Sequence, residues 1–119
     1  MPSRVEPCGT NQLIAMHYGS VPVVRATGGL ADTIQDYDPW TGQGNGFVFR
    51  PYDRWALFAA IVRAIEILKH QEAWRQIQIR GMHADFSWNR SATKYVELYR
   101  RALASRIPRP GLERYQVRP

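Results

Sequence analysis

Cysteine is almost missing from this chain: Cys8 stands alone among 119 residues. A single thiol excludes an internal disulfide framework and suits a reducing compartment. The three histidines are scattered, so no zinc-ligand spacing arises. Long apolar runs are missing too. The longest, Trp55 to Val62, is eight residues and is closed by Arg63, whereas a membrane helix needs about 20. The start, Met1-Pro2-Ser3-Arg4, lacks the apolar core of a secretory signal. What remains is ordinary globular composition, 45% apolar and 22% charged, which excludes wholesale disorder. The length predicts one small domain.

Charge of one sign is scarce over most of the chain. Residues 1–87 carry eight basic and eight acidic side chains, and residues 88–119 carry eight basic and two acidic. The net +6 therefore belongs wholly to the C-terminal part. Basic tails bind nucleic acid or acidic surfaces in some proteins, but a solvated helix and tail accounts for this one. No DNA- or RNA-binding signature accompanies the charge, so nucleic acid is not an expected partner.

Periodicity gives the order of elements. Leu13 with His17, and Ile14 with Tyr18, mark a helix that Gly19 should stop. Val21-Pro22-Val23-Val24 reads as a buried strand with proline at its entry. Thr27-Gly28-Gly29-Leu30 makes a tight loop, with a helical turn through Thr33. Residues 35–45 hold turn chemistry, and Gly46-Phe47-Val48-Phe49 reads as a second strand. Asp53 is a good N-cap for a helix whose apolar face is Leu57, Ile61, Ile65 and Leu68, flanked by Phe58 and Val62. A helix from about Glu72 to Gly81 is expected to bury Trp74 and Ile77. A last helix carries Ala92, Val96, Tyr99 and Leu103 on one face. Short strands alternating with helices predict an α/β layer architecture. So few strands predict the C-terminal part of a larger doubly wound domain, with its first strand cut and one sheet edge unpaired.

The segment richest in chemistry is Arg4-Val5-Glu6-Pro7-Cys8-Gly9-Thr10-Asn11-Gln12. A strand end delivers Glu6, Pro7 and Gly9 shape a turn, and a helix follows at once. Ligands of open α/β sheets sit beyond the carboxyl ends of strands. The free amides of Gly9, Thr10 and Asn11 suit a phosphate. Glu6 would repel that phosphate. It suits sugar hydroxyls, or a positive charge developing on a sugar; capping the helix is the competing role. The two glycines after Thr27 let backbone approach a ligand, or simply turn a strand into a helix. Cys8 sits where a thiol pKa falls, but no general base is paired with it, so it is not read as a nucleophile. His17, His70 and His83 are read as surface residues. Trp40, Trp55, Trp74 and Trp88 are read as core and loop anchors in preference to a sugar-stacking platform.

These residues resemble a known family. Pro2 to Gly9, Gln12, Ala15-Met16, Tyr18-Gly19, Val21 to Arg25, Thr27 to Thr33, Gly44 to Phe47, Asp85 to Trp88, Tyr95 and Leu98 to Arg100 are similar to bacterial glycogen synthases and plant starch synthases. The similarity runs in order over residues 1–103. It implies a retaining glucosyltransferase of the B-type fold, with two Rossmann-like domains facing a cleft. The implied donor is ADP-glucose, and the acceptor is the non-reducing end of an α-1,4-glucan. By this resemblance Glu6 matches the catalytic glutamate, and Cys8, Gly9, Thr10 and Asn11 match the donor-binding turn and helix start. Thr27, Gly28, Gly29 and Leu30 match a loop near the cleft. Val5 stands where phenylalanine is usual, and Thr10 where leucine is common.

The resemblance also implies what is missing: the Lys-Thr-Gly-Gly-Leu loop of the N-terminal domain and the basic pair that neutralises the diphosphate. Residues 1–104 are accordingly expected to be the C-terminal part of the nucleotide-sugar-binding domain, and residues 105–119 a disordered basic, proline-rich tail. The chain alone is expected to be inactive. No metal and no cofactor are expected, and no membrane. Expected partners are self-association or a separate N-terminal half. The expected location is the cytoplasm, or the plastid stroma for a plant source. The competing reading is a non-catalytic remnant that binds glucan or a partner.

Overall fold

The computed structural model describes residues 1–105. The tail expected to be disordered lies, beyond Ser105, outside the described residues. Two compact units are present, Met1–Ala84 and a second that starts at Asp85.

In the first unit the elements run α1 (Asn11–His17), β1 (Val23–Arg25), α2 (Gly29–Thr33), β2 (Phe47–Phe49), α3 (Arg54–Leu68) and α4 (Gln71–Met82). The strands are parallel, with Val23 opposite Phe47 and Arg25 opposite Phe49. This is the expected α/β class with few parallel strands. β1 starts two residues later than the apolar run, because Pro22 has no N–H to give a ladder. Its carbonyl still accepts from Phe47 N–H at 2.8 Å. Gly19 stops α1 as expected, at φ +77. The Ser20 N–H bonds the Ala15 carbonyl and the Gly19 N–H bonds the Met16 carbonyl, both at 2.9 Å, a Schellman closure. Asp53 caps α3, accepting from Trp55 and Ala56 N–H at 2.8 and 3.0 Å.

The pleat sends alternate residues of β1 to opposite faces. Val24 joins Met16, Leu30 and Ile34 on the face that α1 and α2 cover. Val23 packs with Tyr37, Phe47, Ala64 and Ile77 on the face that α3 and α4 cover. The sheet is thus buried on both sides, as parallel strands require. α4 ties the two layers together: Ile77 is buried in the second cluster, and Gly81 lies against Met16 of the first.

The structure corrects three expectations. First, α3 is turned from its expected face. Its buried residues are Ala60 and Ala64, with Ile67 partly buried beside them, while Phe58, Ile61, Val62, Ile65 and Leu68 are exposed. The helix is apolar nearly all round, so periodicity alone could not choose its inner side. Small alanines let it sit close over Phe47, and that packing decided. Second, neither outer edge of the sheet is left unpaired at its centre. On β1, the Met1 amine donates to the Val23 carbonyl at 2.6 Å and Arg25 N–H donates to the Met1 carbonyl at 3.1 Å. On β2, Val48 N–H donates to Asp36 Oδ1 at 2.7 Å and the Val48 carbonyl accepts from Arg63 Nη2 at 2.8 Å. A carboxylate and a guanidinium, themselves paired at 3.0 Å, blunt that edge as charged side chains commonly do. Third, Trp74 is the sole tryptophan of the four that acts as an anchor, stacking on Phe47 at 6.3 Å. Trp40, Trp55 and Trp88 are exposed.

The second unit contains α5 (Trp88–Ala104). Asp85 prepares its entry by accepting from Ser87 N–H at 2.8 Å. That bond holds the Asp85 carboxyl below the usual carboxylate range. Among the described residues no helix is long and apolar enough to cross a membrane.

Candidate functional site

The turn carrying Glu6 and the loop carrying Gly28 and Gly29 meet beyond the carboxyl end of β1. Gly29 N–H donates to the Glu6 carbonyl at 3.1 Å. A Cβ on Gly28 would overlap the Glu6 carbonyl oxygen, and one on Gly29 would overlap the Cys8 carbonyl oxygen. Gly28 also has φ +47, where side chains are strained. The second glycine pair therefore has a defined task. It lets two backbones touch, and that contact fixes the course of the Glu6–Cys8 turn.

Glu6 is half-buried, and its Oε2 accepts from Ser3 Oγ at 3.1 Å. Cys8 is exposed and free. Gly9 has φ +67 and leads directly into α1. Thr10, at the N-cap, makes no side-chain cap. The first N–H groups of the helix are thereby left to solvent or to a ligand. Thr10 and Asn11 are exposed there. Thr27 is half-buried at the head of the loop. Leu30 is fully buried, so its side chain serves the core and meets no ligand.

Two residues that sequence reasoning did not select hold this arrangement. Gln12 is 0% exposed. Its Nε2 donates to the Gly9 carbonyl at 2.8 Å and to Thr33 Oγ1 at 3.2 Å. Thr33 Oγ1 in turn donates to the Gly29 carbonyl at 2.6 Å. Gln12 is thus a strut from the glutamate turn to the glycine loop. Arg25 is the other. Its Nη1 donates to the carbonyls of Ser3 and Arg4 at 3.3 and 3.0 Å, and its guanidinium lies 5.4 Å from the Tyr52 ring centre. It anchors the segment that delivers Glu6.

A cavity of about 280 Å³ lies near the same end, lined by Pro2, Phe49, Tyr52, Asp53, Arg54 and Leu57. Glu6 is not among its lining residues. Among the described residues no group of three or more histidine, cysteine, aspartate or glutamate side chains is placed to hold a metal.

Residues 1–81 match the family Glycosyl transferases group 1. The chain belongs to this family. It is similar to the glycogen synthases of Desulforudis audaxviator and Moorella thermoacetica, each 55% identical over 87% and 89% of this chain. Those matches cover 21% and 22% of the relatives, so the chain spans about a fifth of their length. Among solved structures it is similar to the catalytic domain of starch synthase IV from Arabidopsis thaliana, bound to ADP and acarbose. That match has TM-score 0.71 and 42% identity, covering 87% of this chain and 22% of that one. A sucrose-phosphate synthase from Thermosynechococcus elongatus matches with TM-score 0.58 and 31% identity, covering 87% of this chain and 24% of that one. The group 1 glycosyltransferase fold is thereby established as a part of one Rossmann-like half. The resemblance first read from the Glu6 and Gly28-Gly29 segments stands.

Proposed function

We propose that this chain supplies the glutamate-bearing part of a retaining glucosyltransferase that uses ADP-glucose to extend the non-reducing end of an α-1,4-glucan. The observation that carries the reading is the backbone contact of Gly28 and Gly29 with the Glu6–Cys8 turn. It presents a carboxylate and the uncapped start of α1 side by side beyond a strand end, where open α/β sheets bind ligands. In the reaction the bond from glucose C1 to the diphosphate breaks and ADP leaves with the electron pair. The acceptor 4-hydroxyl oxygen then bonds C1 on the same face, and its proton passes to the departing diphosphate. Glu6 opposes the positive charge that develops on the sugar, and the amides of Gly9, Thr10 and Asn11 face the distal phosphate. Cys8 borders the donor without attacking it. No resident metal or cofactor takes part in this scheme.

The chain contains no Lys-Thr-Gly-Gly-Leu sequence and only Arg4 as a basic residue ahead of Glu6. Charge on a departing diphosphate needs stabilisation, so activity requires the upstream half. The test is radiolabel transfer from ADP-glucose to glycogen. The purified chain alone should incorporate none. The same chain joined to the upstream part of a related glycogen synthase should incorporate label, and Glu6→Gln in the joined protein should lower turnover by about 10²–10³, with little change in donor binding. Transfer by the isolated chain, or full turnover with Glu6→Gln, would refute the proposal.

A second reading, a non-catalytic module that binds a partner, is favoured by the apolar outer face of α3, where Phe58, Ile61, Val62, Ile65 and Leu68 are exposed. A separate N-terminal half and a second copy are the partners it names. Sedimentation of the chain with and without the upstream half distinguishes them. The location proposed with this function is the cytoplasm, or the plastid stroma for a plant source, and the single cysteine of the chain supports a reducing compartment.

A further inference from the structure

The backbone of Glu6 is held by Gly29, whose N–H donates to the Glu6 carbonyl at 3.1 Å. That bond does not choose where the carboxylate points. A glutamate side chain is long and loses much rotamer freedom when it is ordered, so a fixed carboxylate needs a contact of its own. Among the described residues the donor that meets it is Ser3, whose Oγ lies 3.1 Å from Glu6 Oε2. Both residues stand in irregular backbone, and both are half-buried. No helix or strand brings the pair together.

Contacts from β1 bring them together instead. Met1 is paired along the strand: its amine donates to the Val23 carbonyl at 2.6 Å, and its carbonyl accepts from Arg25 N–H at 3.1 Å. The Arg25 side chain then reaches the residues that follow. Its Nη1 donates to the Ser3 carbonyl at 3.3 Å and to the Arg4 carbonyl at 3.0 Å. The guanidinium lies 5.4 Å from the Tyr52 ring centre, a cation–π contact that steadies it. Arg25 Nε is buried without a partner, an unfavourable arrangement that persists because the head of the side chain is engaged on these carbonyls. The chain is therefore fixed at Met1, at Ser3 and Arg4, and again at the Glu6 carbonyl. Between those anchors the Ser3 hydroxyl and the Glu6 carboxylate meet.

The chemistry of each contact matters. A guanidinium set on the Glu6 carboxylate would orient it, but would also cancel the negative charge that opposes a positive sugar. Among the described residues the ion pairs are Arg63 with Asp36 and Lys69 with Glu66, and Glu6 is in neither. The positive charge of Arg25 stops on backbone carbonyls, and a neutral hydroxyl touches the carboxylate. Such a contact sets direction and keeps the charge. Electrostatic groups contribute most when they are oriented before the charge develops. We propose that Ser3 is a positioning residue for Glu6 in glucosyl transfer, and that Arg25 holds Ser3 in place. The inference rests on the role of Glu6 proposed above.

Two experiments test it. In the purified 119-residue chain, three-bond NMR couplings of the Glu6 side chain should report one χ1 rotamer in the wild type and in Ser3→Thr, which keeps the hydroxyl. They should report averaged rotamers in Ser3→Ala. Averaged rotamers in the wild type, or one rotamer in Ser3→Ala, would overturn the proposal. In the protein joined to the upstream part of a related glycogen synthase, Ser3→Ala should lower kcat by about tenfold with donor KM little changed. Ser3→Thr should keep most of the turnover. Arg25→Lys, which retains the charge and loses the planar fork, should lower kcat in the same sense. Ser3→Ala should have no further effect in a Glu6→Ala background, because a positioning residue acts only through the group it positions. An equal loss with and without the Glu6 carboxylate would make Ser3 part of the general fold and overturn the proposal. So would unchanged kcat in Ser3→Ala or Arg25→Lys, or a loss in Ser3→Thr equal to that in Ser3→Ala. Those results leave the role of Glu6 intact. Full turnover with Glu6→Gln removes that role, and is read with Ser3 unchanged.

Discussion

The two ends of the small sheet are built by opposite means. At the carboxyl end, backbone meets backbone: Gly28 and Gly29 lie directly on the carbonyls of Glu6 and Cys8. Few side chains are consumed there. Glu6 keeps most of its carboxylate, with Ser3 as its hydrogen-bond donor. At the amino end, side chains hold the 35–46 loop. Asp36, Asp38, Asn45, Arg63 and Arg80 each bond backbone. The comparison teaches where chemistry can reside. Fixing a turn through glycine contacts leaves its polar groups available for a ligand. Fixing it through carboxylates and guanidiniums consumes them, and leaves the indole of Trp40 as the free feature.

The largest effect should come from breaking the glycine contact. Gly29→Ala should destabilise the first unit by about 3 kcal/mol or more, the upper range for overpacking against backbone that cannot yield. Gly42→Ala at the other end meets nothing within 4 Å. It should cost only the left-handed backbone penalty, about 1 kcal/mol. Urea melts of both variants check the contrast, and equal midpoints would remove it.

A middle effect belongs to the strut between the two site segments. Gln12→Leu keeps the bulk of the side chain but strips the Gly9 carbonyl of its donor. The expected loss is about 1 kcal/mol, the cost of a part-buried acceptor left without its donor, offset in part by removal of the buried Gln12 Oε1, which has no partner. Amide exchange should quicken first at Gly29, whose N–H bonds the Glu6 carbonyl. Uniform quickening across the unit would mean that Gln12 serves the core generally.

The smallest effect is a pH dependence at the amino end. Backbone hydrogen bonding from Trp40, then the Thr41 hydroxyl, holds the Asp38 carboxyl below its ordinary 3.8. A depressed carboxyl contributes stability that is complete above the unfolded value and is lost as pH falls through the folded one. Trp40 fluorescence anisotropy, in a chain with the other three tryptophans replaced by phenylalanine, should therefore stay constant from neutral pH down to about pH 4 and drop below it. Asp38→Asn, which removes the titrating group, should flatten the profile.

How much was legible beforehand varied with the range of the interaction. Gly19 closing α1, Asp53 capping α3 and turn chemistry at 35–45 are settled within a few residues, so local sequence sufficed. The family was legible because Glu6-Pro7-Cys8-Gly9 and Thr27-Gly28-Gly29-Leu30 keep both order and spacing. Their roles in a reaction remain the proposal made above. The burial of Gln12 and the exposure of Trp40 were not legible. Each depends on what another segment places nearby, and neither side chain announces it.

The sequence by itself therefore determined the element order from α1 onward, the α/β class and the two segments that form the candidate site. These follow from local caps, from periodicity and from motifs read in order. The strand end expected to deliver Glu6 is not a strand, and residues 1–10 reach α1 as irregular backbone. Only the tertiary structure decided which face of α3 turns inward, how the edges of β1 and β2 are satisfied, and why Thr27 is followed by two glycines. The reason is physical. Hydrophobicity says that α3 must bury a side, but the side is chosen by tertiary packing, which buries Ala60 and sets Ala64 in the cluster with Phe47. In the same way, Gly28 and Gly29 are required by carbonyl oxygens that come from residues more than twenty positions away, a contact that no local pattern contains.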